Sequence, residues 1–152
     1  MKSLASSGVT VPAIPALLGY AGLLPFVGLS VGLWIVPEAY EQVLHAALLG
    51  YASIILAFMG AVHWGLAMQD SGPIAGRQFV WSVMPALIAW FASVFSPMTR
   101  YSVLTVAFAA LCLLDGRMIK LGKAPAWYLK LRAPLTAVVV LSLITAQISL
   151  LR

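Results

Sequence analysis

Apolar residues along this chain come in long unbroken runs separated by short polar punctuation. Five runs stand out, at about 14–36, 43–68, 78–97, 101–121 and 133–151. About 20 consecutive apolar residues carry a helix across a hydrocarbon core of roughly 30 Å, and each run meets that length. A membrane β-barrel would instead need segments of about ten residues that alternate in and out. These runs are longer and do not alternate. The pattern predicts an all-α integral membrane bundle of about five transmembrane helices, forming one membrane domain over residues 1–152. The third and fourth runs meet at the short junction "FSPMTRY".

The second run is the one that polar residues interrupt, in "FMGAVHWGLAMQD". At ~100° per residue it sorts into three faces. Leu48, Tyr51, Ile55, Phe58, Val62 and Leu66 form a bulky stripe suited to lipid. Gly50, Ser53, Ala57, Ala61 and Gly65 form a small-residue stripe suited to helix packing. The third face carries His45, Leu49, Ala52, Leu56, Met59, Gly60, His63 and Asp70. His45 and His63 share that face, five turns and ~27 Å apart. A helix with two faces against protein is central to its bundle, so His63 is expected to look inward. In the first run, Gly28 and Gly32 form a GxxxG pair for close helix approach. Pro25 lies mid-run and is expected to kink the helix, either as tolerated packing or to free a carbonyl for coordination.

Composition supports the same class. The chain is 62% hydrophobic and 9% charged, whereas soluble domains carry about 25% charged residues. The positions of the charges orient the bundle. Lys2, Arg77, Arg117, Lys120, Lys123, Lys130 and Arg132 fall on one side, and Arg100 and Arg152 on the other. Basic residues near helix ends collect in the cytoplasm. The amino terminus is therefore expected inside and the carboxyl terminus outside, with the acidic loop "PEAYEQ" also outside. "MKSLASSGVTVP" does not read as a cleavable signal, because the apolar run after Pro15 is longer than the 7–15 residues of a signal core. The single cysteine, Cys112, excludes an internal disulfide. The net charge of +5 follows from the positive-inside bias and implies no nucleic-acid partner.

A candidate ligand-binding cluster gathers at the cytoplasmic end. An ionisable residue inside a span usually turns toward the bundle interior. His63 lies about a turn from that end, with Trp64 beside it. Asp115, in "CLLDGRMIK", lies at similar depth and can fix the histidine tautomer by accepting a ring N–H. Pairing of Asp115 with Arg117 or Lys120, or simple solvation at the helix end, is the alternative. Trp81 of the third run can add a wall. In "GKAPAWYLKLRAPLT", Trp127, Tyr128, Lys130 and Arg132 make an aromatic and basic collar expected to anchor the cytoplasmic interface.

Several chemistries lack their parts. No phosphate-binding loop, dinucleotide fingerprint or zinc-protease motif is present, no cofactor is evident, and no metal site is expected. Met59 and Met84 near His63 read as packing.

The segments "LGYAGLLPFVG", "GAVHWGLAM", "LLDGRMIK" and "LGKAPAWYLKLRAPLT" resemble the transmembrane-protein-69-like family, catalogued as a domain of unknown function. The resemblance covers nearly the whole chain. His63-Trp64-Gly65 and the stretch Ala124 to Leu129 are its most specific parts. It implies a multi-helix inner-membrane protein and brings no catalytic residue with it. The family has mitochondrial and bacterial members, and the absence of a presequence in "MKSLASSGVTVP" points to the bacterial inner membrane. Three functions remain open. The first is a structural, accessory or assembly factor that works with the bilayer and another membrane protein, for which the sequence points to no enzymatic activity without excluding one. The second is a binder of a quinone or lipid around His63, Trp64, Trp81 and Asp115. The third is a small proton-coupled transporter.

Overall fold

The structure is a computed structural model that describes residues 10–69, 71, 73–120, 122 and 124–152. Its helices are α1 (Ala13–Ala21), α2 (Leu24–Gly32), α3 (Glu38–Ala67), α4 (Pro73–Ala92), α5 (Pro97–Lys120) and α6 (Ala126–Ser149). No strand occurs among the described residues. α1 and α2 together make the first expected span, so five long helical stretches are present. Four of them, Ala13–Gly32, α3, α5 and most of α6, are long and apolar enough to cross a membrane. α4 is 20 residues long but spends two of its early positions on Arg77 and Gln78.

Contacts fix the direction of each helix. Gly60 of α3 lies against Ser82 and Pro85 of α4, and Trp64 against Phe79, so α3 and α4 are antiparallel. His45 meets Tyr101 while His63 meets Asp115, so α5 runs parallel to α3. Arg132 meets Asp115 while Gln147 meets Ser102, so α6 returns against α5. One end of the bundle gathers Glu38, Glu41, Pro97, Arg100 and Arg152. The opposite end holds His63, Asp115 and the start of α6.

The break between α1 and α2 is where Pro25 dictates. Proline has no N–H for the carbonyl four residues back and its ring crowds that carbonyl. The helix restarts at Leu24 with Pro25 in its first turn, where proline is tolerated. The Gly22 carbonyl at the break accepts a hydrogen bond from the Tyr51 hydroxyl at 3.0 Å. Tyr51 also packs edge-on to Phe26, with ring centroids 5.1 Å apart. The kink is thus tied to α3, which satisfies a backbone group that lipid cannot.

A buried core of Phe26, Leu48, Leu56, Tyr101, Phe108 and Leu143 joins α2, α3, α5 and α6. Around it, Leu17, Leu24, Ile54, Phe58, Val106 and Leu141 are exposed. That inversion is expected where hydrocarbon is the solvent.

Helix boundaries differ from expectation at several places: α2 ends at Gly32 rather than 36, α3 starts at Glu38 rather than 43, α4 ends at Ala92 rather than 97 and α5 starts at Pro97 rather than 101. The third helix starts at Pro73 rather than 78, because proline suits a first helical turn. The last starts at Ala126 rather than 133, so the aromatic and basic collar is itself helical and the helix runs on through Pro134. Asp70, Lys2 and Lys123 lie outside the described residues.

Of the expected packing residues, Gly32 holds its place: a Cβ there would meet Leu44 Cδ2 at 3.0 Å. Ala57 is half-buried. Gly28 and Gly65 open onto free space and Ala61 is exposed, so they form no seam. The histidine face of α3 is the buried one instead, with His45, Leu49, Ala52, Leu56 and Gly60 all enclosed. Gly60 is its point of closest approach. A Cβ there would stand 2.6 Å from the Ser82 carbonyl oxygen and 3.1 Å from Pro85 Cγ.

Candidate functional site

Three helices each bring one polar side chain to a point near the His63 end of the bundle. His63 lies one turn before the end of α3, Asp115 lies in the last two turns of α5, and Arg132 lies in the second turn of α6. The inward face of α3 delivers His63 directly, as its spacing from Leu56 and Gly60 requires.

Asp115 is the hub. Its Oδ1 accepts from His63 Nε2–H at 2.8 Å, and its Oδ2 accepts from Arg132 Nε–H at 2.8 Å. The carboxylate is 2% exposed, Arg132 5% and His63 12%. A carboxylate is acceptor-only, so the geometry requires the proton on His63 Nε2. The Asp115–Arg132 pair cancels its own charge, which lets both groups sit in a medium that would strongly disfavour either alone. One buried donor in the network, Arg132 Nη2, has no partner among the described residues.

The structure brings His63 and Asp115 together, and Asp115 pairs with Arg132 rather than with Arg117 or Lys120. The aromatic part of the expected cluster does not assemble. Trp64 is 45% exposed and packs edge-on to Phe79 at 4.8 Å, and Trp81 is 66% exposed. Trp64 is His63's chain neighbour, so helical geometry turns it ~100° away. Of the collar, Trp127 and Tyr128 stay half-buried and pack on each other at 6.2 Å, and Lys130 is exposed. Arg132 leaves the collar for the interior.

Sequence reasoning missed Arg132 because Lys130 and Arg132 read as one basic patch. A usable signal was present. Two residues apart on a helix, the two side chains diverge by ~200°, so they cannot share one exposed face. Asp115 also needed a cation once it was turned inward. At the other end of the bundle, the structure adds a contact the sequence did not suggest: His45 Nδ1 and the Tyr101 hydroxyl are 2.9 Å apart, both residues buried.

Two cavities lie away from His63. An apolar groove of about 410 Å³ between α4 and α5 is lined by Leu87, Ile88, Phe91, Ala92, Phe95 and Val103. A polar cavity of about 530 Å³ opens at the far end, beside His45 and Arg100.

This arrangement coincides with a family whose description is "Protein of unknown function (DUF3429)", which matches residues 11–148. The chain belongs to that family. It is also similar to Transmembrane protein 69 of Xenopus tropicalis, 34% identical over 138 residues, which is 89% of this chain and 54% of that protein. Transmembrane protein 69 of Mus musculus is 28% identical over 137 residues, 88% of this chain and 56% of that protein. The chain therefore spans about half the length of these relatives. No solved structure matches. With the helical bundle and its apolar spans, these relatives establish a multi-pass membrane protein.

Proposed function

We propose that this chain is a structural or accessory factor of the bacterial inner membrane, with its amino terminus in the cytoplasm. The observation that carries the reading is how the Asp115 carboxylate is engaged. Both carboxylate oxygens are committed within the bundle, to side chains from two other helices. A site built to act on a bound molecule keeps polar groups turned toward a cavity. Here they bind helices to one another.

The carrier reading is weakened by what lies between the two histidines. Leu49, Ala52 and Leu56 on α3, with Leu104, Phe108 and Leu111 on α5, are all buried and apolar. A proton relay needs ionisable or hydrated groups along its path. The lipophile reading around His63 loses its aromatic walls, since Trp64 and Trp81 are exposed.

Native mass spectrometry of the full chain extracted in mild detergent, wild type beside His63→Ala, tests the proposal. The expected result is a lower melting temperature for the variant, with the same set of bound small molecules in both. A quinone or lipid present in wild type and missing from His63→Ala would overturn it in favour of the binding reading. Loss of pH-driven flux in vesicles, with the fold intact, would overturn it in favour of a carrier.

A further inference from the structure

The first span is built in two halves that pack differently. The half remote from His63, α2, lies in a groove between α3 and α6 with α5 beneath it. Gly32 meets Leu44 there, and Phe26 packs edge-on to both Tyr51 and Phe108. Phe26, Ser30 and Leu33 are buried by this packing. The half on the His63 side, α1, has no buried residue, and Ile14, Leu17, Leu18 and Tyr20 are exposed. It leans on α6 through Gly19, where a Cβ would meet Leu135 Cδ1 at 2.8 Å and Leu131 Cδ1 at 3.6 Å.

Register says where α1 would lie if the span were straight. Gly32 sits by Leu44 and Phe26 by Tyr51, so α2 and α3 run antiparallel and advance together, turn for turn. Continued at about 1.5 Å per residue, the same line places Gly19 two turns beyond Phe26. Two turns beyond Tyr51 on α3 is Phe58, and two turns beyond Phe108 on α5 is Asp115. A straight first span would therefore lie over the level at which His63, Asp115 and Arg132 meet. Pro25 prevents this, and α1 tilts off the line. Ile55, Met59, Val62 and Leu66 on α3 are left only half-buried.

The break has the parts of a hinge and a latch. The Gly22 N–H turns to the Leu18 carbonyl and the Leu23 N–H to the Tyr20 carbonyl, while Pro25 offers no donor at all. The Gly22 carbonyl is taken by the Tyr51 hydroxyl. An unsatisfied carbonyl is disfavoured in hydrocarbon, so that one bond from α3 holds the angle. Little else does, because lipid replaces the apolar contacts that α1 would lose on moving. A few residues at the ends of two elements suffice to absorb such a rotation.

We propose that α1 is a hinged strap, latched by Tyr51 in its tilted position and able to seat in the groove between α3 and α6, where it covers the Asp115 network. Seated, it lays a fourth helix over His63, Asp115 and Arg132. Tilted, it leaves that groove to lipid. The proposal does not depend on the role given to the network.

Two variants act on the device without touching the network. Tyr51→Phe keeps the ring against Phe26 and deletes the latch. Pro25→Ala restores the N–H that a continuous helix needs. In a Cys112→Ala chain reconstituted in lipid nanodiscs, spin labels on Leu17→Cys and Phe58→Cys report the distance from α1 to α3 by double electron–electron resonance. Labels on Val31→Cys and Val43→Cys report α2 against α3 as the control, and all four positions are exposed. Tyr51→Phe should broaden the Leu17–Phe58 distribution and Pro25→Ala should shorten it, with the control pair unchanged. In chains that keep Cys112, half-buried one turn before Asp115, labelling by N-ethylmaleimide should slow several-fold in Pro25→Ala. Leu17–Phe58 distances that coincide in the three proteins, or that change together with the control pair, would overturn the hinge. A shortened distance with Cys112 labelling unaltered would overturn the covering of the network.

Discussion

Asp115 shows how a single carboxylate can be tolerated in a bundle otherwise built of Leu, Val, Ala and Phe. It is compensated by Arg132 on Oδ2 and oriented by His63 on Oδ1. Deleting one member of a buried pair leaves the other charged and unsolvated. Asp115→Ala should therefore cost about 3–5 kcal/mol, enough to lower expression and melting temperature sharply. Replacing both charged partners with apolar side chains removes the pair and its desolvation cost together. Asp115→Leu with Arg132→Met should consequently be far more stable than Asp115→Ala alone, as read by thermal unfolding in detergent. A double variant as unstable as the single one would show that the network does more than join helices. At this scale the sequence was legible where one residue decides, as with His63 turned inward by its own helix. It was not legible where partners come from different helices. The pairing of Asp115 with Arg132 rather than Arg117 depends on how α5 and α6 lie together, which no local pattern encodes.

Between elements, close approach follows small residues, but not the ones that first catch the eye. Gly28-xxx-Gly32 and the Ala57–Ala61–Gly65 stripe match a familiar spacing, yet of their three glycines only Gly32 meets a neighbour tightly. The seam between α3 and α4 instead uses Gly60 against a row on α4. Ala75, Ser82 and Ala89 recur every seven residues, with Pro85 and Ala92 between turns, and all five are buried. Seven-residue recurrence keeps one line of side chains facing a partner helix at a shallow crossing angle. The row is readable in the sequence once α4 is known to start at Pro73. What the sequence could not supply is which of two small-residue faces on α3 it would meet. Lipid offers no penalty for leaving small residues outside, so size alone does not settle burial. Gly60→Ala drives a methyl group onto the Ser82 backbone carbonyl, at 2.6 Å before any movement, and α4 must shift. The expected cost is about 1–3 kcal/mol in thermal unfolding. Gly65→Ala, which opens onto free space in the same helix, should be neutral to within about 0.5 kcal/mol. Equal losses from the two substitutions would sink the assignment of this seam.

The whole molecule is polarised along the bundle axis: a buried polar network at one end, an apolar middle, and a cavity with a partly polar lining at the other. The apolar runs made the class and the up-and-down order legible, because each run had to become a helix and short loops force neighbours antiparallel. α4 was the least legible of these, since Arg77 and Gln78 dilute it. Its place beside α3 rests on the seam rather than on hydropathy. Which end faces the cytoplasm is a separate matter, governed by basic residues at helix ends. Arg117 and Lys120 close α5, and Lys130 lies in the first turns of α6, all at the His63 end. The opposite end offers Arg100 and Arg152, but Arg152 is matched by Glu41. The imbalance predicts the His63 end inside, since translocating that many cations is disfavoured. In a variant with Cys112 replaced by alanine, single cysteines can be introduced at Gln69, at the His63 end, or at Ala39, at the cavity end, both exposed positions. An impermeant maleimide applied to intact cells stripped of their outer membrane should label Ala39→Cys. It should reach Gln69→Cys only after the inner membrane is opened. The reverse pattern would invert the bundle and turn the cavity at Arg100 toward the cytoplasmic leaflet, while leaving its chemistry intact.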